Sequence, residues 1–86
     1  MFKQATTIKN PTGLHARPAS QLTAFCKKFP EKITIEVGGS SIDPKSIISL
    51  LSAGIKCGTE VNVIVEGENE NLVGEELISF INGLTE

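Results

Sequence analysis

The 86 residues carry eight basic and ten acidic side chains, a net charge of −2, with 40% hydrophobic content and neither Tyr nor Trp. A chain this short holds one domain, expected to span 1–86, and folding buries only about two thirds of the surface its extended form exposes. No apolar run approaches the roughly 20 residues that cross a bilayer, and Met1-Phe2-Lys3-Gln4 lacks the apolar core of a signal peptide, so a cytoplasmic protein without membrane insertion is expected.

Charge is unevenly spread: residues 1–56 hold eight basic and three acidic side chains, residues 57–86 no basic and seven acidic ones. A basic face around Arg17, Lys27, Lys45 and Lys56 suits acidic protein partners, although such a run is also what an ordinary solvated face looks like. Nucleic acid is disfavoured by the overall negative charge and the lack of Tyr or Trp to stack on bases. Cys26 and Cys57 show no Cys-x-x-Cys spacing, and there is a single histidine. Reduced thiols, no metal site and no cofactor are expected.

In chain order, Phe2 to Ile8 reads as a strand and Asn10-Pro11-Thr12-Gly13 as a turn. Leu22, Phe25, Cys26 and Phe29 recur at helical spacing, and Pro18 is tolerated only in a first turn, so a helix is predicted over residues 16–28, closed by Pro30. Ile33, Ile35 and Val37 alternate with polar residues, and Gly38-Gly39 supplies the positive φ angles of a tight hairpin before a strand over Ser40 to Asp43. Ser46 caps a short helix through Ile47, Ile48, Leu50 and Leu51 that Gly54 ends. Val61, Val63 and Val65 mark a fourth strand. Asn69 is placed to cap a last helix with Val73, Leu77, Phe80, Ile81 and Leu84 inward, weakened at Gly74 by up to about 1 kcal/mol. The order βαββαβα implies an α+β open-faced sandwich, a four-stranded antiparallel sheet with three helices on one face, although a ferredoxin-like arrangement would read much the same.

The most informative segment is Gly13-Leu14-His15-Ala16-Arg17-Pro18-Ala19-Ser20, which puts the single histidine at the start of a helix. The first amides of a helix lack internal acceptors and carry partial positive charge, so a phosphate beside His15 would meet donors there and the guanidinium of Arg17. By itself a lone histidine close to a proline is more commonly just a polar turn residue. A small enzyme pairing His15 with Cys26 or Ser20 lacks an orienting third group.

Gly13-Leu14-His15-Ala16-Arg17-Pro18-Ala19 resembles the active-site signature of the HPr family, the histidine phosphocarriers of the bacterial phosphoenolpyruvate-dependent sugar phosphotransferase system. Ser46-Ile47-Ile48-Ser49-Leu50-Leu51-Ser52-Ala53-Gly54-Ile55 resembles the family's second signature, around a regulatory serine, and essentially all 86 residues align. The resemblance implies strand order 1-4-2-3, phosphorylation of His15 on its δ1 (pros) nitrogen, and phosphate stabilisation by Arg17 with the amides of Ala16 and Arg17. It implies receipt from enzyme I and delivery to the IIA domains of sugar permeases, the chain being a substrate of both rather than a catalyst. It also implies a docking surface of Thr12, Ser20, Gln21, Ala24, Lys27, Ile47, Ile48, Leu51 and Lys56 on a chain that acts as a monomer.

Ile47, Ile48 and Leu51 cannot all point inward from so short a helix, so at least one is expected at the surface. Ser46 is a helix cap and, by resemblance, a target of HPr kinase/phosphorylase, with a catabolite-control transcription factor as a further partner. Ile48 and Ser49 depart from the Met and Gly common after Ser-Ile in Gram-positive relatives. A regulatory HPr-like protein and a nitrogen-branch carrier are the competing readings.

Overall fold

The alternation of Val61, Val63 and Val65 with Asn62 and Ile64 builds the central strand of the molecule. In the computed structural model, which describes residues 1–85, this strand β4 (Glu60–Glu66) pairs antiparallel with β1 (Phe2–Thr7) on one side and with β2 (Lys32–Val37) on the other. β2 turns through Gly38 (φ 54°) and Gly39 (φ 83°) into β3 (Ser40–Ile42). The sheet order is β1-β4-β2-β3, as the resemblance implied. Glu86, the last residue of the expected 1–86 domain, lies outside the described residues.

Register decides which side chains face the helices. Phe2 and Ile33 flank Val65, Gln4 and Ile35 flank Val63, and Thr6 stands opposite Val61. With a period of two, the opposite face carries Lys3, Thr34, Glu36, Asn62 and Ile64; Lys3 Nζ lies 3.8 Å from Glu36 Oε1 there. Helices α1 (Ala16–Cys26), α2 (Ile47–Ala53) and α3 (Glu70–Asn82) cover the apolar face. Leu22, Leu50, Leu77 and Ile81 from the helices are buried against the three valines. None of the described helices is long and apolar enough to cross a membrane.

Several boundaries differ from the sequence reading, each for a local reason. α1 ends at Cys26 rather than 28, because the chain tightens before Pro30: Lys28 N–H donates to Phe25 O and Phe29 N–H to Cys26 O, both at 3.2 Å. Ile8 leaves the β1 ladder but stays buried, donating to Thr59 O at 2.9 Å. β3 stops at Ile42 because Asp43 turns away and its Oδ1 accepts from Lys45 N–H at 2.9 Å.

Asn69 is the N-cap residue of α3, yet its side chain makes no capping hydrogen bond. The buried Glu31 replaces it, its Oε2 accepting from Asn69 N–H at 3.2 Å, while Glu70 Oε1 accepts from Gly67 N–H at 3.2 Å. Gly74 has a packing reason: a Cβ there would run into the ring of Phe2, so the glycine is the notch in α3 that seats β1. Of the expected inward residues, Val73, Leu77 and Ile81 are buried; Phe80 and Leu84 are half-buried, Phe80 stacking on Phe25 with centroids 4.3 Å apart.

Candidate functional site: an exposed histidine at the start of α1

The loop between β1 and α1 is held by its own sequence and by a second loop. Asn10 is buried and its Nδ2 donates to Gly13 O at 2.6 Å, while Gly13 N–H donates to Asn10 O at 3.0 Å. Gly13 then takes a positive φ of 65°, a conformation open to glycine at little cost. Leu14 buries its side chain and donates its N–H to Ile55 O at 2.9 Å; Gly58 N–H donates to Ile8 O at 2.7 Å. The two loops are thus zipped together, and His15 emerges from the fixed end.

His15 is the N-cap of α1, with extended backbone (φ −90°, ψ −165°), and its carbonyl accepts from Ala19 N–H at 2.8 Å. Its side chain makes no capping bond and is exposed. The ring therefore stands beside the first amides of an 11-residue helix without occupying them. Pro18 occupies the third helical position and is buried with Ala19, Leu22, Thr23 and Cys26. That inward stripe leaves Ala16, Arg17, Ser20, Gln21, Ala24 and Lys27 exposed, with Thr12 exposed in the loop ahead.

α2 packs beside α1. Ser46 caps it, its Oγ accepting from Ser49 N–H at 3.3 Å, and Gly54 closes it at φ 62°. Only Leu50 of this helix is buried; Ile47, Ile48 and Leu51 are 37%, 73% and 42% exposed. The expectation of at least one exposed residue is exceeded, and these side chains form an apolar surface rather than core. Lys56 is exposed in the loop that holds Gly13.

One sequence reading is corrected. Lys45 does not belong to the basic face: its Nζ donates to Phe29 O at 2.7 Å and Glu31 O at 2.8 Å, because the α1–β2 turn leaves those carbonyls without strand or helix partners. Cys26 cannot serve as a nucleophile, since burial pushes its thiol up to about 12. Cys57 is exposed in its turn, Sγ 3.6 Å from Lys9 O. Among the described residues no group of three His, Cys, Asp or Glu is placed to hold a metal ion. An open cleft of about 560 Å³ lined by Phe25, Phe80 and Leu84 does not include the exposed His15.

The buried roles of Asn10, Glu31 and Lys45 escaped the sequence reading. The turn Asn10-Pro11-Thr12-Gly13 carried a signal for the first; the other two depend on contacts between distant elements.

The described residues thus form an open-faced α+β sandwich that presents an exposed histidine at a helix start. A family model for the phosphotransferase-system HPr component phosphorylation site matches residues 2–83, and the chain belongs to the HPr family of phosphocarrier proteins, which carry phosphate and are not catalysts. It is 35% identical to the phosphocarrier protein HPr of Borreliella burgdorferi over 86 residues, the whole of both chains. A solved structure of HPr from Thermoanaerobacter tengcongensis superposes with a TM-score of 0.91 at 34% identity, over 95% of this chain and 92% of that one. The catabolite-repression protein Crh of Bacillus subtilis, solved as a swapped dimer, matches at 33% identity and a TM-score of 0.76, over 95% of this chain and 94% of that one.

Proposed function

We propose that this chain, as one domain over 1–86, receives a phosphoryl group on Nδ1 of His15 from phospho-enzyme I and passes it to IIA domains of sugar permeases. The observation that carries this reading is the exposed His15 ring at the N-cap of α1, uncommitted to the helix it caps. In each step one P–N or P–O bond to the donor breaks as the bond to the acceptor forms, and the group leaves His15 by the reverse displacement. Ala16 and Arg17 amides and the Arg17 guanidinium steady its oxygens. Exposed helix-terminus interactions with anions contribute only about 0.3 to 1 kcal/mol each, which suits a group that must move on.

Docking falls to the exposed faces of α1 and α2 with their flanking loops, through Thr12, Ser20, Gln21, Ala24, Lys27, Ile47, Ile48, Leu51 and Lys56. A central apolar patch with cations at its rim fits partners with an apolar contact ringed by carboxylates. Incubation with enzyme I and phosphoenolpyruvate, followed by mapping of acid-labile phosphate, tests the reading; phosphate absent from His15 would defeat it.

A regulatory layer is proposed at Ser46. Its hydroxyl starts α2, and a phosphate there adds about −1.5 to −2 charges beside the apolar patch, opposing enzyme I by repulsion and desolvation. HPr kinase/phosphorylase with ATP is the test, and an unmodified Ser46 would end this part. The likeness to Crh favours, as a second reading, a regulatory role that includes a catabolite-control transcription factor. His15 speaks for the carrier, and transfer from the sugar or the nitrogen form of enzyme I separates the two branches. A cytoplasmic monomer is proposed; the Phe2 ring seated at Gly74 supports a closed β1, and sedimentation at micromolar concentration distinguishes it from a swapped dimer.

A further inference from the structure

We infer that Lys45 is a positioning residue for the docking surface: its ammonium clamps the turn after α1 to the start of α2 and so fixes how the two helices present one face. The inference rests on the carrier reading of that face and adds to it a residue that touches neither the phosphate nor the partner. Nζ donates to Phe29 O and Glu31 O at 2.7 and 2.8 Å, and Phe29 lies in the turn that follows α1, beyond Lys27 and Lys28. The backbone on the other side of the clamp is equally constrained. Lys45 N–H donates to Asp43 Oδ1 at 2.9 Å, Ser46 N–H to Asp43 O at 3.0 Å, and Pro44 is fully buried.

One residue later Ser46 caps α2, and the next two, Ile47 and Ile48, are exposed. A short helix of seven residues has little intrinsic stability, so its orientation is set by its anchors. Leu50 holds the middle and Gly54 the end; the Lys45 clamp holds the start. Charge-assisted bonds to carbonyls are stronger than neutral ones, and the Lys45 ammonium spends two of its donors on the turn. Loss of the clamp frees the first turn of α2 without altering the His15 loop, which is fixed separately by Asn10 and Ile55.

Lys45→Met is expected to raise the KM for transfer from phospho-enzyme I by roughly fivefold, about 1 kcal/mol of lost docking energy, with kcat unchanged. Lys45→Arg, which retains charge-assisted donors, brings the KM back toward the wild-type value. Amide exchange at Ile48, Ser49 and Leu50 speeds up in Lys45→Met with no partner present.

An unchanged KM, an unrescued Arg variant or unaltered exchange in α2 would each overturn the inference. Should Lys45→Met fail to fold, the wild-type protein decides: slowly exchanging Lys45 ammonium protons support the clamp, and fast exchange with solvent overturns it. The two exchange measurements stand even if enzyme I never labels His15, so failure of the carrier reading is told apart from failure of the clamp.

Discussion

Gly13 and Ile55 approach so closely that a Cβ on residue 13 would stand 2.5 Å from the Ile55 carbonyl oxygen and 2.7 Å from the Cα of Lys56. Both obstacles are backbone, and φ is 65°. Gly13→Ala is therefore expected to cost about 1 to 3 kcal/mol through strain and clash together, read from urea unfolding. Phosphoryl transfer to His15 should slow as well, because the loop that carries it must lift from Ile55.

His15→Ala should abolish acid-labile labelling by enzyme I, while Arg17→Ala slows transfer roughly tenfold, the scale of one charge-assisted contact of about 1.4 kcal/mol. Both side chains are exposed, so denaturant midpoints should stay within about 0.5 kcal/mol of wild type. Full labelling of His15→Ala in rapid-quench experiments would contradict the assignment.

Neighbouring residues of α2 separate docking from folding. Ile48 is 73% exposed and Leu50 fully buried. Ile48→Asp should weaken binding to enzyme I and to IIA domains by calorimetry with an unchanged thermal midpoint. Leu50→Ala should cost about 2 to 5 kcal/mol of stability.

The Phe2 and Gly74 contact makes a double-mutant cycle informative. Gly74→Ala improves helix propensity by up to about 1 kcal/mol yet is expected to destabilise by about 1 to 3 kcal/mol, since Phe2 must be expelled from its notch. In a Phe2→Ala background the same change should become neutral or stabilising. Additive effects would show that the ring is not the obstacle.

The two thiols should differ sharply. At pH 8 iodoacetamide should modify exposed Cys57 and spare Cys26, whose thiol burial raises from 9.0 to about 12. With the folded value above the unfolded one, the unfolded chain loses this proton first as pH climbs. Stability from the protonated Cys26 is thus complete below about pH 9 and is lost toward pH 12. Denaturant midpoints measured from pH 8 to 11 should fall, and less steeply in Cys26→Ala.

The element order, the alternating faces of the valine strand and the place of His15 were legible because each follows from local signals: alternation, Pro18 in a first turn, and glycines where φ is positive. Strand order was legible only by resemblance, since alternation does not say which strand lies beside which. What stayed hidden was decided by residues far apart in sequence. Glu31 caps α3 in place of Asn69 because the α1–β2 turn lies against that helix start. Gly74 read as a propensity defect until Phe2 filled its space. Lys45 counted as a surface cation because composition records charge but not direction, and two unmet carbonyls drew it inward. The exposure of Ile47, Ile48 and Leu51 was partly foreseeable, as seven residues offer one buried stripe narrow enough for Leu50 alone.

Placing β4 between β1 and β2 has a consequence for biosynthesis. Every strand pairing except the small hairpin waits for residues 60–66, and Thr6 meets Asn82 across 76 positions of chain. The sheet cannot close before residues 60–66 have been synthesised and freed, so folding is governed by slow, long-range closure rather than by early helix formation.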